Sequence, residues 1–450
     1  MTSIAKMVQL TGAGALAVMP LWTTPPAAAV TPPVVDMSTL PKPGSPAPPQ
    51  PTEQLGQCFA AGNQTVEAAD DPVERYGLQD VWSLTRGTGQ TVAVIDTGVS
   101  RHRLLPHLVP GGDYVSTGDG TADCDGHGTV VAGIIGASPD RGHTLTGIAP
   151  DATIIGIRQS SNKFRAADDP SGSGVGDVET LATAIRTAAD IGATVINMST
   201  VACLSVKDEL DDRALGAALA YAVDVKNAVV VTAAGNLASA GQCAEQNPTT
   251  GKPNWSDVNT VVTPGWYDDY VLTVGSIGKD GVPSPFSLAG PWVDVAAVAE
   301  GVVSLNPDGE GWIDSLETAD ETPISGTSYA APVVSAVAAL VRSRSPELTA
   351  RQVMKRIEDT AHRPPAGWDP VVGHGTVDAF AAVSAGPGSA PGNGGETLRP
   401  LQIPDSAPVS QGGKFAVRGA ALCVAVSLAL VAATTSANRL RRRTDAVPSD

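Results

Sequence analysis

Thr91-Val92-Ala93-Val94-Ile95-Asp96-Thr97-Gly98 is the stretch on which the reading of this chain turns. Val92 to Ile95 is an unbroken apolar run, the pattern of a strand buried on both faces of a parallel sheet. It ends on a carboxylate. Chemically active groups in such sheets gather at the carboxyl ends of strands, which makes Asp96 a candidate catalytic residue. The plainer reading is an Asp that caps a turn. Asp-Thr-Gly also marks aspartic proteases, but these need two carboxylates sharing one site. The chain holds one Asp-Thr-Gly and no Asp-Ser-Gly.

Outward from this strand the pattern repeats. Short apolar runs predict further buried strands at 153–157, 194–198, 228–233 and 271–274. Helical patterns fall at 128–136, 178–191, 209–225, 328–344 and 349–360. Strand and helix in alternation imply an α/β fold, a parallel sheet with helices on both faces. Two polar stretches, 159–177 and 237–257, exceed ordinary connections and read as surface insertions.

The whole chain has 450 residues, long enough for a full core without metal or disulfide staples. Its formal charge of −17 repels phosphate and excludes sequence-independent nucleic-acid binding. The first 29 residues carry Lys6, an apolar run from Met7 to Trp22 and a small-residue cleavage pattern at Ala27-Ala28-Ala29, which together read as a secretory signal peptide. Near the other end, 419–438 is 20 residues without a charge, about 30 Å of helix and one hydrocarbon thickness. Arg439, Arg441, Arg442 and Arg443 follow, which orients a span with its tail in the cytoplasm.

The expected layout is a signal peptide (1–29), a Pro-rich N-terminal extension (30–74), a folded body (75–385), a Pro/Gly-rich linker (386–413), a transmembrane helix (414–438) and a cytoplasmic basic tail (439–450). Export puts the body in an oxidising compartment. Cys423 lies in the span, which leaves Cys58, Cys124, Cys203 and Cys243 as an even set. Four cysteines allow three pairings; the sequential one, Cys58–Cys124 and Cys203–Cys243, is preferred. None stands in a Cys-x-x-Cys spacing, so a structural zinc site is not expected.

Three more segments carry candidate chemistry. His127 stands in Asp125-Gly126-His127-Gly128-Thr129, just before an apolar helix. Lone loop histidines are mostly exposed and idle, and His102, His107, His143 and His362 are read that way. Ser328, in Gly326-Thr327-Ser328-Tyr329-Ala330-Ala331-Pro332, opens another apolar helix. Ser at a helix start is ordinarily an N-cap, yet the first N–H groups of a buried helix also favour developing negative charge. Asn236 follows the strand 228–233; it is a turn former on the bland reading and an amide donor on the sharper one.

Taken together in the order Asp, His, Asn, Ser, these segments resemble the subtilisin-like serine proteases (subtilases) across roughly residues 75–385. Gly373-His374-Gly375-Thr376-Val377-Asp378-Ala379 resembles the close of their catalytic domain, which gives His374 a structural reading. The resemblance implies that Ser328 is the nucleophile, His127 the general base and Asp96 its orienting carboxylate. It implies that Asn236 and the Ser328 N–H bind the oxyanion, and that Ser199, Thr200 and Gly235 contact substrate. No cofactor and no metal are implied, and no calcium-loop pattern is visible.

Within that family, the signal peptide, the Pro-rich arm, the single span, the basic tail, Tyr329 and the cysteine-bearing insertions resemble the mycosins, membrane-anchored proteases of actinobacterial type VII secretion systems. That likeness implies exported protein substrates and a place in the secretion membrane complex, with the catalytic domain outside the cytoplasm. A mainly structural role in that complex, with proteolysis secondary, is the competing reading. Two departures stand out. Thr200-Val201 replaces the Leu-Gly that lines the cleft of many subtilisins, so their substrate preference does not carry over. The stretch between signal and catalytic domain is short for a folded inhibitory prodomain, and is expected to wrap the body, tied by Cys58.

Overall fold

The computed structural model describes residues 30–60, 72–140, 145–208, 210–237, 243–316 and 322–385. The expected signal peptide, linker, membrane helix and basic tail, and His143, lie outside the described residues. Among the described residues no helix is long and apolar enough to cross a membrane.

In chain order the strands are β1 (Thr52–Gln54), β2 (Thr91–Asp96), β3 (Leu108–Asp113), β4 (Thr153–Arg158), β5 (Phe164–Ala166), β6 (Val195–Met198) and β7 (Ala202–Ser205). They continue with β8 (Val229–Ala233), β9 (Thr260–Thr263), β10 (Leu272–Ile277), β11 (Val295–Val298), β12 (Ser304–Leu305) and β13 (Trp312–Ile313). The helices are α1 (Pro72–Arg75), α2 (Leu78–Leu84), α3 (His127–Gly136), α4 (Val178–Asp190), α5 (Arg213–Ala220), α6 (Thr327–Arg344), α7 (Ala350–Thr360) and α8 (Ala379–Ser384).

Seven strands form the central sheet in the order β11-β10-β8-β6-β2-β4-β3. Every pair in it is parallel. The strands of its middle carry no outward polar face; β6, β8 and β10 are buried throughout. Helices α4 and α6 both pack on β2 and β6 with no substantial contact between them, so they cover opposite faces. Strand β2 pairs with β4 on one side and β6 on the other. The chain therefore changes direction across the sheet at β2, and its carboxyl end opens on the crevice where α/β proteins place their sites.

Two sheet strands were not anticipated. Strand β3 reads Leu-Val-Pro-Gly-Gly-Asp, and its register slips between Pro110 and Gly112. An edge strand tolerates such residues because no ladder bond is lost on its outer side. Strand β11 has only four residues at the opposite edge. The helix expected at 209–225 starts later, at Arg213, and finishes as a π turn over Tyr221–Val225. Its start is displaced because the Asp212 carboxylate is taken by Thr263 Oγ1 (2.7 Å), Trp266 Nε1 (2.8 Å) and the Tyr267 hydroxyl (2.8 Å).

The N-terminal arm lies along this body. Strand β1 pairs antiparallel with β5 of the first insertion. The Thr39 hydroxyl donates to the Arg213 carbonyl (2.9 Å), and Arg186 Nη1 donates to the Pro41 carbonyl (3.1 Å). Disulfides join Cys58 to Cys124 and Cys203 to Cys243, the sequential pairing.

Candidate active site

Asp96 is the last residue of β2 and is fully buried. His127 is the first residue of α3, its side chain about a quarter exposed. The two meet at 2.7 Å, Asp96 Oδ1 to His127 Nδ1. A carboxylate there makes Nδ1 the protonated nitrogen and leaves Nε2 of the neutral ring able to accept a proton. Burial works against the imidazolium, but the Asp96 charge and its hydrogen bond, helped by Asp123 and Asp125, outweigh it and hold His127 above its ordinary pKa.

Close approach of the two elements depends on Gly128. A Cβ there would lie 3.0 Å from Asp96 Cβ and 3.1 Å from Asp96 Oδ1, and closer still to the Gly98 carbonyl. Any side chain would drive α3 away from β2.

Asp123 locks the same junction. Its carboxylate accepts from Thr97 Oγ1 (2.8 Å), Gly126 N (2.8 Å), Thr129 N (2.8 Å) and Thr129 Oγ1 (2.7 Å). Thr97 in turn accepts from Gly128 N at 3.0 Å. Burial pushes Asp123 up to about 6 despite those donors, with the Asp96 charge adding to the rise. Sequence reading missed both residues. The available signals were a second acid four positions before His127 and a hydroxyl directly after Asp96.

Ser328 is the second residue of α6, inside the first turn and not at its cap; Gly326 occupies the cap. Gly326 has φ 152° and ψ 154°, a conformation open essentially to glycine alone. Asn236 follows β8, and its Oδ1 accepts from Thr327 N (2.9 Å) and Thr327 Oγ1 (3.0 Å). With Oδ1 so engaged, Nδ2 is the free donor. A side chain at Gly326 would come within 3.5 Å of that Nδ2, so the glycine keeps its front clear. Cys243 N donates to the Asn236 carbonyl (3.2 Å), which ties the second disulfide to this turn.

Tyr329 is buried and packs on His127, ring centroids 5.2 Å apart and tilted 44°. Burial, with the negative charge of Asp96 and Asp123, raises its phenol above the ordinary range. Ser199 is buried and engaged with Ser328, its hydroxyl donating to the Ser328 carbonyl at 2.7 Å. Thr200 is half-buried at the end of the same segment. Gly235 donates its N–H to Thr327 Oγ1 (3.2 Å) and lies against the second disulfide; a Cβ on it would be 2.9 Å from Cys243 Sγ.

The remaining histidines stand elsewhere. His107 is exposed, and His362 is exposed and pairs with Asp378 at 3.1 Å. His374 is half-buried beside Glu358. His102 is a correction to the sequence reading: it is buried, its Nδ1 accepting the Leu104 N–H at 3.0 Å, so it shapes the turn after β2. Among the described residues no group of three or more His, Cys, Asp or Glu could hold a metal ion.

Comparison with known proteins bears on this arrangement. The model of the subtilase family matches residues 87–375, and the chain belongs to that family of serine proteases. Within it the similarity is to the mycosins. Mycosin-4 of Mycobacterium tuberculosis (strain ATCC 25618 / H37Rv) is 52% identical over 457 residues, covering 99% of both chains. The solved structure of the MycP3 protease from the type VII (ESX-3) secretion system is 42% identical, with a TM-score of 0.73 over 79% of this chain and all of that one. A chain in the structure of an intact ESX-5 inner membrane complex is 39% identical, with a TM-score of 0.74 over 91% of this chain and all of its own.

Proposed function

We propose that this protein is a mycosin-like endopeptidase of a type VII secretion system, cleaving exported proteins through Asp96, His127 and Ser328. The observation that carries the reading is the 2.7 Å bond that fixes the His127 tautomer beside the start of α6. His127 Nε2 takes the Ser328 proton as Oγ attacks the scissile carbonyl, and later returns it to the leaving amine. Asp96 holds the ring and stabilises its cation. Asn236 Nδ2 and the Ser328 N–H receive the oxyanion. Of the three residues expected to contact substrate, Thr200 is half-buried and lines the approach of the substrate chain, while the buried Ser199 and Gly235 support it from behind. The family resemblance and the local geometry support each role.

The test is chemical labelling of the purified full-length chain with a fluorophosphonate probe, followed by mass spectrometry. Adduct on Ser328 that is lost in His127→Ala supports the reading. Absence of adduct on folded wild-type protein refutes it.

The location belongs to the same proposal: an exported body held by the single span 414–438, with residues 439–450 in the cytoplasm. Exported proteins and the secretion membrane complex are its partners. A second reading, a structural subunit of that complex with proteolysis secondary, is favoured by the likeness to a chain of the ESX-5 inner membrane complex. Ser328→Ala decides between them. Secretion that survives the substitution favours the structural role, and secretion that stops favours proteolysis.

A further inference from the structure

A chain of buried hydrogen bonds runs from the middle of α6 to the nucleophile. Ser335 Oγ donates to Asn197 Oδ1 at 2.8 Å. Asn197 Nδ2 donates to Ser199 Oγ at 3.0 Å, and Ser199 Oγ donates to the Ser328 carbonyl at 2.7 Å. Ser335 and Asn197 are fully buried and Ser199 is 2% exposed. Every donor in the series points the same way, so each bond polarises the next.

Pro332 explains why the Ser328 carbonyl is available. In a regular helix the N–H of residue 332 would donate to the carbonyl of residue 328. Proline has none. Pro332 lies inside α6, and the Ser199 hydroxyl takes the carbonyl it leaves free.

The clasp is reciprocal. The Ser328 hydroxyl donates to the Ser199 carbonyl at 3.0 Å. A hydroxyl has one proton to give, so at rest it is not given to His127. For attack, the Ser328 hydroxyl must turn its proton from the Ser199 carbonyl to His127 Nε2. During that rotation the bond from Ser199 Oγ to the Ser328 carbonyl can persist. It keeps the backbone of Ser328, including its N–H, from turning with the side chain.

We propose that Ser335, acting through Asn197 and Ser199, is a positioning residue for Ser328. It fixes Ser199, which fixes the peptide that carries the nucleophile. Without the Ser335 hydroxyl, Asn197 Oδ1 loses its donor in a site with no water-facing surface, and the amide is free to turn away from Ser199. The inference rests on Ser328 being the nucleophile, as proposed above.

The test is the rate of fluorophosphonate labelling of the full-length chain, resolved into a maximal rate and a half-saturating probe concentration. Wild-type protein that does not label refutes the triad itself, which separates that failure from failure of this proposal. Given a labelling wild type, Ser335→Ala is expected to lower the maximal rate about tenfold while the half-saturating concentration holds. The pH midpoint of labelling should also hold, because the series acts on Ser328 and not on His127. In a Ser199→Ala background the same substitution should cost nothing further, since its route is already cut. Wild-type labelling by Ser335→Ala overturns the proposal, as does a loss that multiplies with that of Ser199→Ala, or one accompanied by a moved pH midpoint. Should Ser335→Ala fail to fold, Ser199→Ala carries the test alone, and undiminished labelling there refutes the proposal.

Discussion

Replacing Gly128 by Ala tests the packing that brings His127 and Asp96 together. Gly128 has ordinary helical conformation, so Ala costs nothing in backbone strain and gains helix propensity. The penalty is contact alone. The added methyl would stand 3.0 Å from Asp96 Cβ and 3.1 Å from Asp96 Oδ1, with the Gly98 carbonyl nearer still. Carbon atoms prefer about 3.5–4.0 Å, so α3 must retreat from β2 by roughly 1 Å. A retreat of that size takes the 2.7 Å bond between Asp96 and His127 beyond hydrogen-bonding range. Misplacement on this scale costs about 10²-fold in rate, and overpacking costs about 1–3 kcal/mol of stability. The assay is fluorophosphonate labelling of the full-length variant at a temperature well below its unfolding transition. Labelling within threefold of wild type would show that the junction yields without moving the pair, and would refute the reasoning.

Asn236→Ala removes the free amide and is expected to lower peptide hydrolysis by about 10²–10³-fold, and it also leaves Thr327 N and Oγ1 without their acceptor, at about 1–3 kcal/mol of stability; a loss of hydrolysis below fivefold, measured well below the unfolding transition, removes Asn236 from the oxyanion site. His127 is held above 6.5 in the folded protein, so it must lose its proton above that pH to act as base. The acid limb of the pH–rate profile should therefore lie above 6.5, and Asp125→Asn should move it down; a limb that stays put shows that Asp125 does not reach His127. By linkage, the stability that the raised pKa contributes is complete below 6.5 and is lost as pH climbs through the folded value. Asp123 is also raised, from 3.8 to about 6, so its stabilising share is complete below 3.8 and lost as pH climbs through 6. Asp123→Asn cannot titrate, and its deficit relative to wild type should shrink by about 3 kcal/mol between pH 4 and pH 7. A deficit independent of pH in denaturant titrations refutes that account.

How much of this was legible depended on how local the cause was. Strand β2 could be read because Val92 to Ile95 are buried on both sides, so burial leaves an unbroken apolar run in the sequence. Helix α6 was visible because Ala330 to Leu340 are buried all round, which leaves an apolar stretch behind Ser328 in the sequence. Strand β3 could not be read, since its Pro and Gly residues are tolerated only by virtue of its edge position, which is a property of the sheet. The supporting shell of the site was equally hidden. Thr97 and Asp123 are 26 positions apart, and Asn197 and Ser335 are 138 apart. No periodicity links such pairs. A buried Ser in an Ala-rich helix looks like a small core residue until the fold sets an amide against it.

The approach to His127 unites these levels. Asp123, Cys124 and Asp125 are consecutive, and each faces a different part of the molecule. Asp123 turns inward to Thr97 and Thr129. Cys124 is bonded to Cys58 of the arm. Asp125 accepts from the Ser161 hydroxyl and, at 2.8 Å, from Asn162 N in the first insertion. Core, arm and insertion are thus fastened within four residues of the candidate base. An inhibitory segment that must be shed would gain nothing from a covalent tie at this point, because cutting the chain would not release it. A segment that stiffens the His127 loop gains directly, since each attachment removes freedom that the 2.7 Å bond to Asp96 would otherwise have to oppose alone. The disulfide and β1 therefore read as support for the site, and the arm's Pro-rich run as the strap that delivers them.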